Sequence, residues 1–298
     1  MRFLVTGASG LLGGYLLREL AGQEVVAWSG TRTGRLFGVE LRPVDLADPA
    51  LVAAAFRAAR PDVVLHAAAL AAVADCLRDP ARAEQVNTQG TARLAELAGE
   101  VGARLLLVST DLVFDGAAGN YTESDVPAPL STYGRSKWAA EAPVRALPRG
   151  VAARLSLLFG PSLTGRRSFF DQQLAALRER RPLPLFVDEW RTPLALHTAA
   201  QALVALAQSD FVGLLHLGGP ERMSRLEMGQ RLAALLGLDP SPLVPARRDS
   251  APGEPRPRDV SLDSGRWRRL CPAHPWPGWE EAVREMLRDG PAISSAAV

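Results

Sequence analysis

The sequence predicts an α/β fold, a doubly wound parallel sheet with a smaller C-terminal lobe. Two observations carry the prediction. Over roughly the first half of the 298 residues, short apolar runs alternate with longer stretches whose apolar residues recur at helical spacing. Strands alternating with helices of that length are the pattern of βαβ units, whose parallel sheet is covered on both faces. After about Gly160 the alternation degrades, and prolines crowd residues 239–257, which read as loop.

Taken in order, residues 2–6 form a buried strand, and 11–20 a helix with one apolar face. A strand over 24–28 and a short one over 39–44 precede an alanine-rich helix over 49–60. Strand 62–66, helix 81–99, strand 104–109, helix 131–146 and strand 151–156 continue the alternation. Beyond them the spacing predicts helices over 168–180, 197–208 and 224–236, a strand over 214–217 and a last helix over 279–288. The small-residue tail from Gly290 is expected to fray. The implied division is one domain over 1–157, joined again by 193–217, against a lobe built from 158–192 and 218–298. Ligands of such sheets bind outside the carboxyl ends of the strands, so the turns there are where chemistry is sought.

Bulk composition excludes several classes. Hydrophobic residues make up 47% and charged residues 22%, the balance of a soluble globular protein. No apolar run reaches the roughly 18 to 20 residues of a membrane span. The N-terminus lacks the apolar stretch and small-residue cleavage site of a signal peptide, so a cytoplasmic protein without a membrane partner is expected. The two cysteines, Cys76 and Cys271, have no partners at metal spacing. His66, His197, His216 and His274 are scattered and read as structural, with no metal site. A net charge of +2, with its basic residues dispersed, argues against a nucleic-acid partner.

Of the 34 lysine and arginine residues, only Lys137 is a lysine. Wherever a surface cation suffices, this chain uses arginine. A lone lysine marks a position where a compact ammonium that can shed its proton is needed and a guanidinium does not serve.

The first turn after a strand is Gly7-Ala8-Ser9-Gly10-Leu11-Leu12-Gly13. Gly7 permits a tight turn, Gly10 lets backbone approach a pyrophosphate, and Gly13 lets the following helix pack closely on the sheet. The free N–H groups and dipole of that helix start suit phosphates. The spacing thus predicts a dinucleotide in a Rossmann-type domain. At the end of the second strand, Trp28 to Arg35 holds no acid and two arginines, Arg32 and Arg35. An acid there would favour NAD, whereas arginine accommodates the 2′-phosphate of NADP. NADP(H) is the expected cofactor, with Arg32 the better placed arginine and NAD(H) left open.

Tyr133 and Lys137 stand four apart on a predicted helix and share a face. A phenol titrates near 10, too high for efficient proton exchange at neutral pH. Lowering it by three units takes about 4 kcal/mol, and a cation at about 4 Å in an intermediate dielectric supplies about that much. Thr110, at the end of the strand over 104–109, offers a hydroxyl that can hydrogen-bond a carbonyl. The residues thus point to proton transfer by Tyr133, supported by Lys137 and Thr110.

Together the glycine turn with Thr6, the run His66-Ala67-Ala68-Ala69, Asn87 and Tyr133-x-x-x-Lys137 resemble the extended short-chain dehydrogenases/reductases. More narrowly, the chain resembles the dTDP-4-dehydrorhamnose reductase family. Arg60-Pro61-Asp62-Val63-Val64, Val86-Asn87, Ser109 to Gly116, Tyr133 to Lys137, Arg154 and Arg256 to Asp263 carry that likeness. The resemblance implies an oxidoreductase in which Tyr133 protonates a carbonyl oxygen while NADPH delivers hydride to a 4-keto carbon of a nucleotide sugar. Lys137 would hold the nicotinamide ribose and depress the tyrosine pKa, and Thr110 would position the carbonyl. Gly7, Gly10, Leu11, Leu12, Gly13, Asp45, Leu46, Ala67, Ala68, Ala69 and Asn87 would belong to the cofactor site. Asp111, Phe114, Leu157 and Arg191 would belong to the substrate side, with the nucleotide half in the C-terminal lobe. A homodimer is compatible with this reading.

Departures from the family pattern fall near the expected sugar site. Leu112 replaces a tyrosine, Leu155-Ser156-Leu157 replaces Thr-Ser-Trp, Arg191 occupies a glycine position, and Thr198 replaces an acid. Two other readings stay open. A sugar-nucleotide epimerase of the same superfamily would retain tightly bound NAD. A non-catalytic dinucleotide-binding subunit, similar to the β-subunit of methionine adenosyltransferase, would have no need of the Thr-Tyr-Lys set.

Overall fold

The computed structural model describes residues 1–289; the tail expected to fray from Gly290 lies outside the described residues. The strands of the first half are β1 (Arg2–Thr6), β2 (Glu24–Ser29), β3 (Arg35–Leu36), β4 (Val39–Pro43), β5 (Val63–His66), β6 (Arg104–Thr110) and β7 (Gly150–Leu155). The second half contributes β8 (Leu158–Phe159), β9 (Leu183–Phe186), β10 (Trp190–Arg191), β11 (Leu194–Ala195), β12 (Gly213–Leu217), β13 (Met223–Ser224) and β14 (Leu243–Ala246). The helices are α1 (Leu11–Glu19), α2 (Pro49–Ala59), α3 (Val73–Arg78), α4 (Pro80–Ala83), α5 (Gly90–Val101), α6 (Thr132–Arg145), α7 (Phe169–Glu179), α8 (Leu196–Gln208), α9 (Arg225–Leu236), α10 (Gly265–Leu270) and α11 (Trp279–Asp289).

One eight-stranded sheet runs in the order β12-β7-β6-β5-β1-β2-β4-β3. Every pairing in it is parallel except the short β3–β4 hairpin. Side chains of a strand alternate between faces, and the core divides accordingly. Phe3, Val5, Val63 and Leu65 pack with Leu16 of α1 and Leu203 of α8. Leu4, Val64, Leu105 and Leu107 pack on the other face with Phe56 of α2, Leu94 of α5 and Val144 of α6. The central strands are therefore buried on both sides, which explains why β1 and β5 read as apolar runs, whereas β4 near the sheet edge keeps Glu40 and Arg42 exposed.

Helix starts follow local chemistry. The Asp48 carboxylate accepts from the Ala50 and Leu51 amides, with Pro49 at the first helical position. Ser131 caps α6 through the Gly134 amide. Ser168 and Asp171 form a reciprocal capping box at α7.

The structure departs from the sequence expectation in several places, among them the short strands β3, β8–β11 and β13 and helix α10, for which no element was expected. The helix expected over 81–99 is interrupted by a π-helical stretch, Glu84–Gln89. Such wide turns recur at functional sites, and this one carries Asn87 against Leu70 and Ser136. The stretch expected as loop over 239–257 contains β14, paired in parallel with β9. Non-local pairing carries no local signature in four residues. Helix α3, just after the alanine run, was not expected at all.

After β7 the chain leaves the main sheet and then returns. β12 pairs with β7 at the sheet edge, while α7, α9, α11 and the β9–β14 pair enclose a separate apolar core around Phe170, Leu232 and Trp279. This second core stands beyond the carboxyl ends of β6 and β7.

Candidate active site

β1 lies between β2 and β5, with Thr6 paired to Trp28 on one side and His66 on the other. Because the chain crosses to opposite sides of β1, its carboxyl end is the switch point where doubly wound sheets bind ligands. The glycine turn occupies that point. Gly7 has φ +68, and a Cβ there would stand 2.7 Å from the Ala68 amide nitrogen. A Cβ on Gly13 would overlap the Gly7 carbonyl oxygen. Both positions therefore exclude any side chain. The Thr6 hydroxyl contacts His66 Nδ1 at 2.7 Å and accepts from the Ala68 amide at 3.2 Å, tying the two strand ends together. Gly10 precedes α1 without a side-chain cap, so the first amides of that helix are free for an anion.

A cavity of about 670 Å³ opens over this turn, within the size range of small-molecule sites. Its wall gathers Gly7, Gly10, Leu11, Leu12, Gly13, Asp45, Leu46, Ala67, Ala68, Ala69, Thr110, Tyr133, Lys137 and Leu157. Two residues of the expected cofactor set stand off the wall. Asn87 is fully buried, its amide accepting from the Leu70 N–H and donating to the Leu70 carbonyl and the Ser136 hydroxyl. It thereby fixes the alanine run against α6. Arg32 is exposed and donates to the Thr164 carbonyl at 2.5 Å. Asp45 is held in a two-pronged pair with Arg82.

Tyr133, Lys137 and Glu141 lie at four-residue intervals on α6 and so share one face. Lys137 is 1% exposed. Burial pushes its ammonium down to about 8, and Glu141 partly opposes that. Glu141 itself holds Arg154 through both carboxylate oxygens, at 2.8 and 2.7 Å, and accepts from Ser109 at 2.6 Å. The Tyr133 phenol is raised above its ordinary value, first by burial and then by the Asp111 carboxylate, with the Thr110 hydroxyl acting in the opposite direction. The expected depression by Lys137 is not among the influences on this phenol, whose direction is set by burial and Asp111. A phenol so placed holds its proton, which suits a donor better than a base.

On the substrate side, Leu157 faces the cavity, whereas Asp111, Phe114 and Arg191 lie behind its wall. Phe114 is 1% exposed, stacked on Tyr121 at 4.0 Å within a small apolar cluster. Asp111 accepts from Arg191 at 2.7 Å, from Ser156 at 2.9 Å and from Thr110 at 3.3 Å. Arg191 also donates to Glu189, whose carboxylate takes Arg225 and Arg256 as well. Those three guanidinium groups hold the Glu189 carboxyl down at about 2 against its burial.

Sequence reasoning missed Glu141, Glu189 and the cavity-lining Arg166 and Arg167. Only Glu141 left a readable signal, the same spacing that joins Tyr133 to Lys137. The others arrive through long-range packing.

The Rossmann-type sheet, the glycine turn and the Thr110, Tyr133 and Lys137 side chains on one wall have the architecture of the extended short-chain dehydrogenases/reductases. The chain belongs to the RmlD substrate binding domain family, matching it over residues 1–291. It is similar to the dTDP-4-dehydrorhamnose reductase of Streptomyces griseus, with 33% identity over 307 residues, 99% of this chain and 95% of that one. It is also similar to the methionine adenosyltransferase 2 subunit beta of Pongo abelii, with 30% identity over 282 residues, 90% of this chain and 82% of that one. The crystal structure of dTDP-4-dehydrorhamnose reductase from Bacillus anthracis in complex with NADP shares the fold. Its TM-score is 0.86 at 23% identity, covering 97% of this chain and 99% of that one.

Proposed function

We propose that this chain is an NADPH-dependent reductase of a 4-keto nucleotide sugar, with Tyr133 as proton donor. The observation that carries the reading is the placement of Thr110, Tyr133 and Lys137 on the wall of the cavity that the glycine turn opens onto. The residues present fit a dinucleotide, since Gly7 and Gly13 leave a cradle that any Cβ would fill. The glycine turn and the first amides of α1 would hold its pyrophosphate, and Asp45 and Leu46 would border its adenine. Bound there, NADPH supplies hydride.

The remaining work falls to this chain's own groups. Thr110 donates to the substrate carbonyl and holds it beside the phenol. Tyr133, kept protonated by its surroundings, gives its proton to the carbonyl oxygen as negative charge develops there. Lys137 stabilises the phenolate left behind and binds a ribose hydroxyl. The absence of a carboxylate at the end of β2, with Arg32 nearby, supports NADPH over NADH.

Tyr133→Phe tests the reading. It should retain NADPH binding while NADPH oxidation with a nucleotide-linked 4-keto sugar falls by roughly 10²- to 10⁴-fold. Turnover equal to the parent would overturn the assignment. The likeness to a methionine adenosyltransferase subunit supports a second reading, a non-catalytic dinucleotide-binding subunit. That reading expects no turnover by the parent with any nucleotide-linked keto sugar, and tight association with a partner enzyme.

A further inference from the structure

Arg166 and Arg167 line the same cavity but have no place in the proposed proton transfer. Both are exposed, and neither guanidinium has a carboxylate partner among the described residues. The other charged residues on that wall are Asp45, Arg82 and Lys137. Asp45 and Arg82 neutralise one another. Without the two arginines, Lys137, itself partly offset by Glu141, is the remaining cation on that wall among the described residues.

The segment carrying these arginines, residues 160–168, is fastened at both ends. Tyr15 on α1 donates to the Pro161 carbonyl at 2.8 Å, and Arg32 donates to the Thr164 carbonyl. Thr164 sits so close over α1 that a Cβ on Gly14 would stand 2.6 Å from its methyl group. At the other end, Ser168 caps α7 and donates to the Gly160 carbonyl at 2.7 Å. Gly165, Arg166 and Arg167 therefore span two fixed points, on the side of the cavity where the glycine turn and the end of β2 lie.

We propose that residues 160–168 form a strap clamping the phosphates of the bound dinucleotide, with Arg166 and Arg167 as its cationic contacts and Arg32 as its anchor. This rests on the dinucleotide reading above. The glycine turn offers amides but no cation to an anionic pyrophosphate, and a 2′-phosphate would add about two further negative charges. Guanidinium groups suit both, since their forked donors match phosphate oxygens. The strap also links cofactor and lobe, because it leads directly into α7 and the second core. Arg166 and Arg167 are binding residues in this scheme and take no part in the chemistry.

Titration of the full chain with NADPH and with NADH, followed by nicotinamide fluorescence or calorimetry, tests the strap. The parent comes first; failure to bind either dinucleotide would sink the nucleotide reading itself, and the strap with it. R166A/R167A should bind more weakly by roughly tenfold for each arginine removed, and R166K/R167K should recover part of that. An equal loss for both dinucleotides supports the strap with the pyrophosphate as its target. A loss confined to NADPH supports it with the 2′-phosphate as target. Affinities of R166A/R167A within twofold of the parent for both ligands overturn it. Both side chains are exposed, so the variants are expected to melt with the parent.

Discussion

Arg191 donates a hydrogen bond of 2.7 Å to Asp111, joining a residue of the second lobe to the one that follows Thr110. Both partners are buried, at 5% and 1% exposure. Removing one member of such a pair leaves an unbalanced charge in a poorly solvated site and costs about 3–5 kcal/mol. Arg191→Met should therefore lower unfolding stability by that order in a denaturant titration. Asp111→Asn in the same background should recover most of the loss, because the stranded charge is then gone. Additive losses in the double variant would show that the two residues act independently.

What was legible in the sequence had a short-range signature. The glycine turn, the four-residue step from Tyr133 to Lys137 and the alternating strands each express a local period or a local backbone demand. Phe114 was misread for the opposite reason. Its motif neighbour Thr110 lines the cavity, but Asp111 is already turned to Arg191 and Ser156 behind the wall, and by Val113 and Phe114 the chain has passed into a core with Tyr121. Arg191 stands 80 residues from Asp111, and its glycine-like motif position gave no hint that its charge would be spent there. The sign of the Tyr133 shift was also out of reach, since it depends on how much solvent the folded chain removes.

Glu141 carries three hydrogen bonds to Arg154 and Ser109 and raises the Lys137 ammonium against its burial. Glu141→Gln should move the lysine below its present value of about 8. In the pH profile of NADPH oxidation, the limb set by that ammonium should shift to lower pH. Stability should fall by about 3–5 kcal/mol, because Arg154 loses its counter-charge. A variant with lower stability but an unmoved pH profile would restrict Glu141 to a structural role.

His66 and His216 are both held down at about 3 from an ordinary 6.5, chiefly by burial. Unfolded, each would take up a proton near 6.5. Their depressed values thus add stability that is full above pH 6.5 and is lost as pH falls toward 3. The unfolding free energy should decline through that window. His66 contacts the Thr6 and Thr91 hydroxyls through its two ring nitrogens, so His66→Gln keeps a polar group there without a titration. The variant should show a shallower decline than the parent between pH 6.5 and 3. An unchanged slope in chemical denaturation across that range would count against this assignment.

The buried ammonium of Lys137 couples stability to pH in the same direction. Its ammonium falls from 10.5 to about 8 on burial, a difference worth about 3 kcal/mol. The sign follows from proton uptake: between pH 8 and 10.5 the unfolded chain holds a proton that the folded chain has released. Stability from this group is therefore full above 10.5 and is lost as pH falls to about 8. Lys137→Met fills the same space without a charge, and Glu141 keeps its pairing with Arg154. At pH 7 the variant should unfold later than the parent, by an amount on the order of 3 kcal/mol, and the gain should shrink as pH rises through 8 to 10.5. NADPH oxidation should fall at the same time, since the phenolate of Tyr133 loses its cation. Destabilisation at pH 7 would mean that the buried ammonium is better compensated than its surroundings indicate. Full activity in Lys137→Met would remove the lysine from the mechanism.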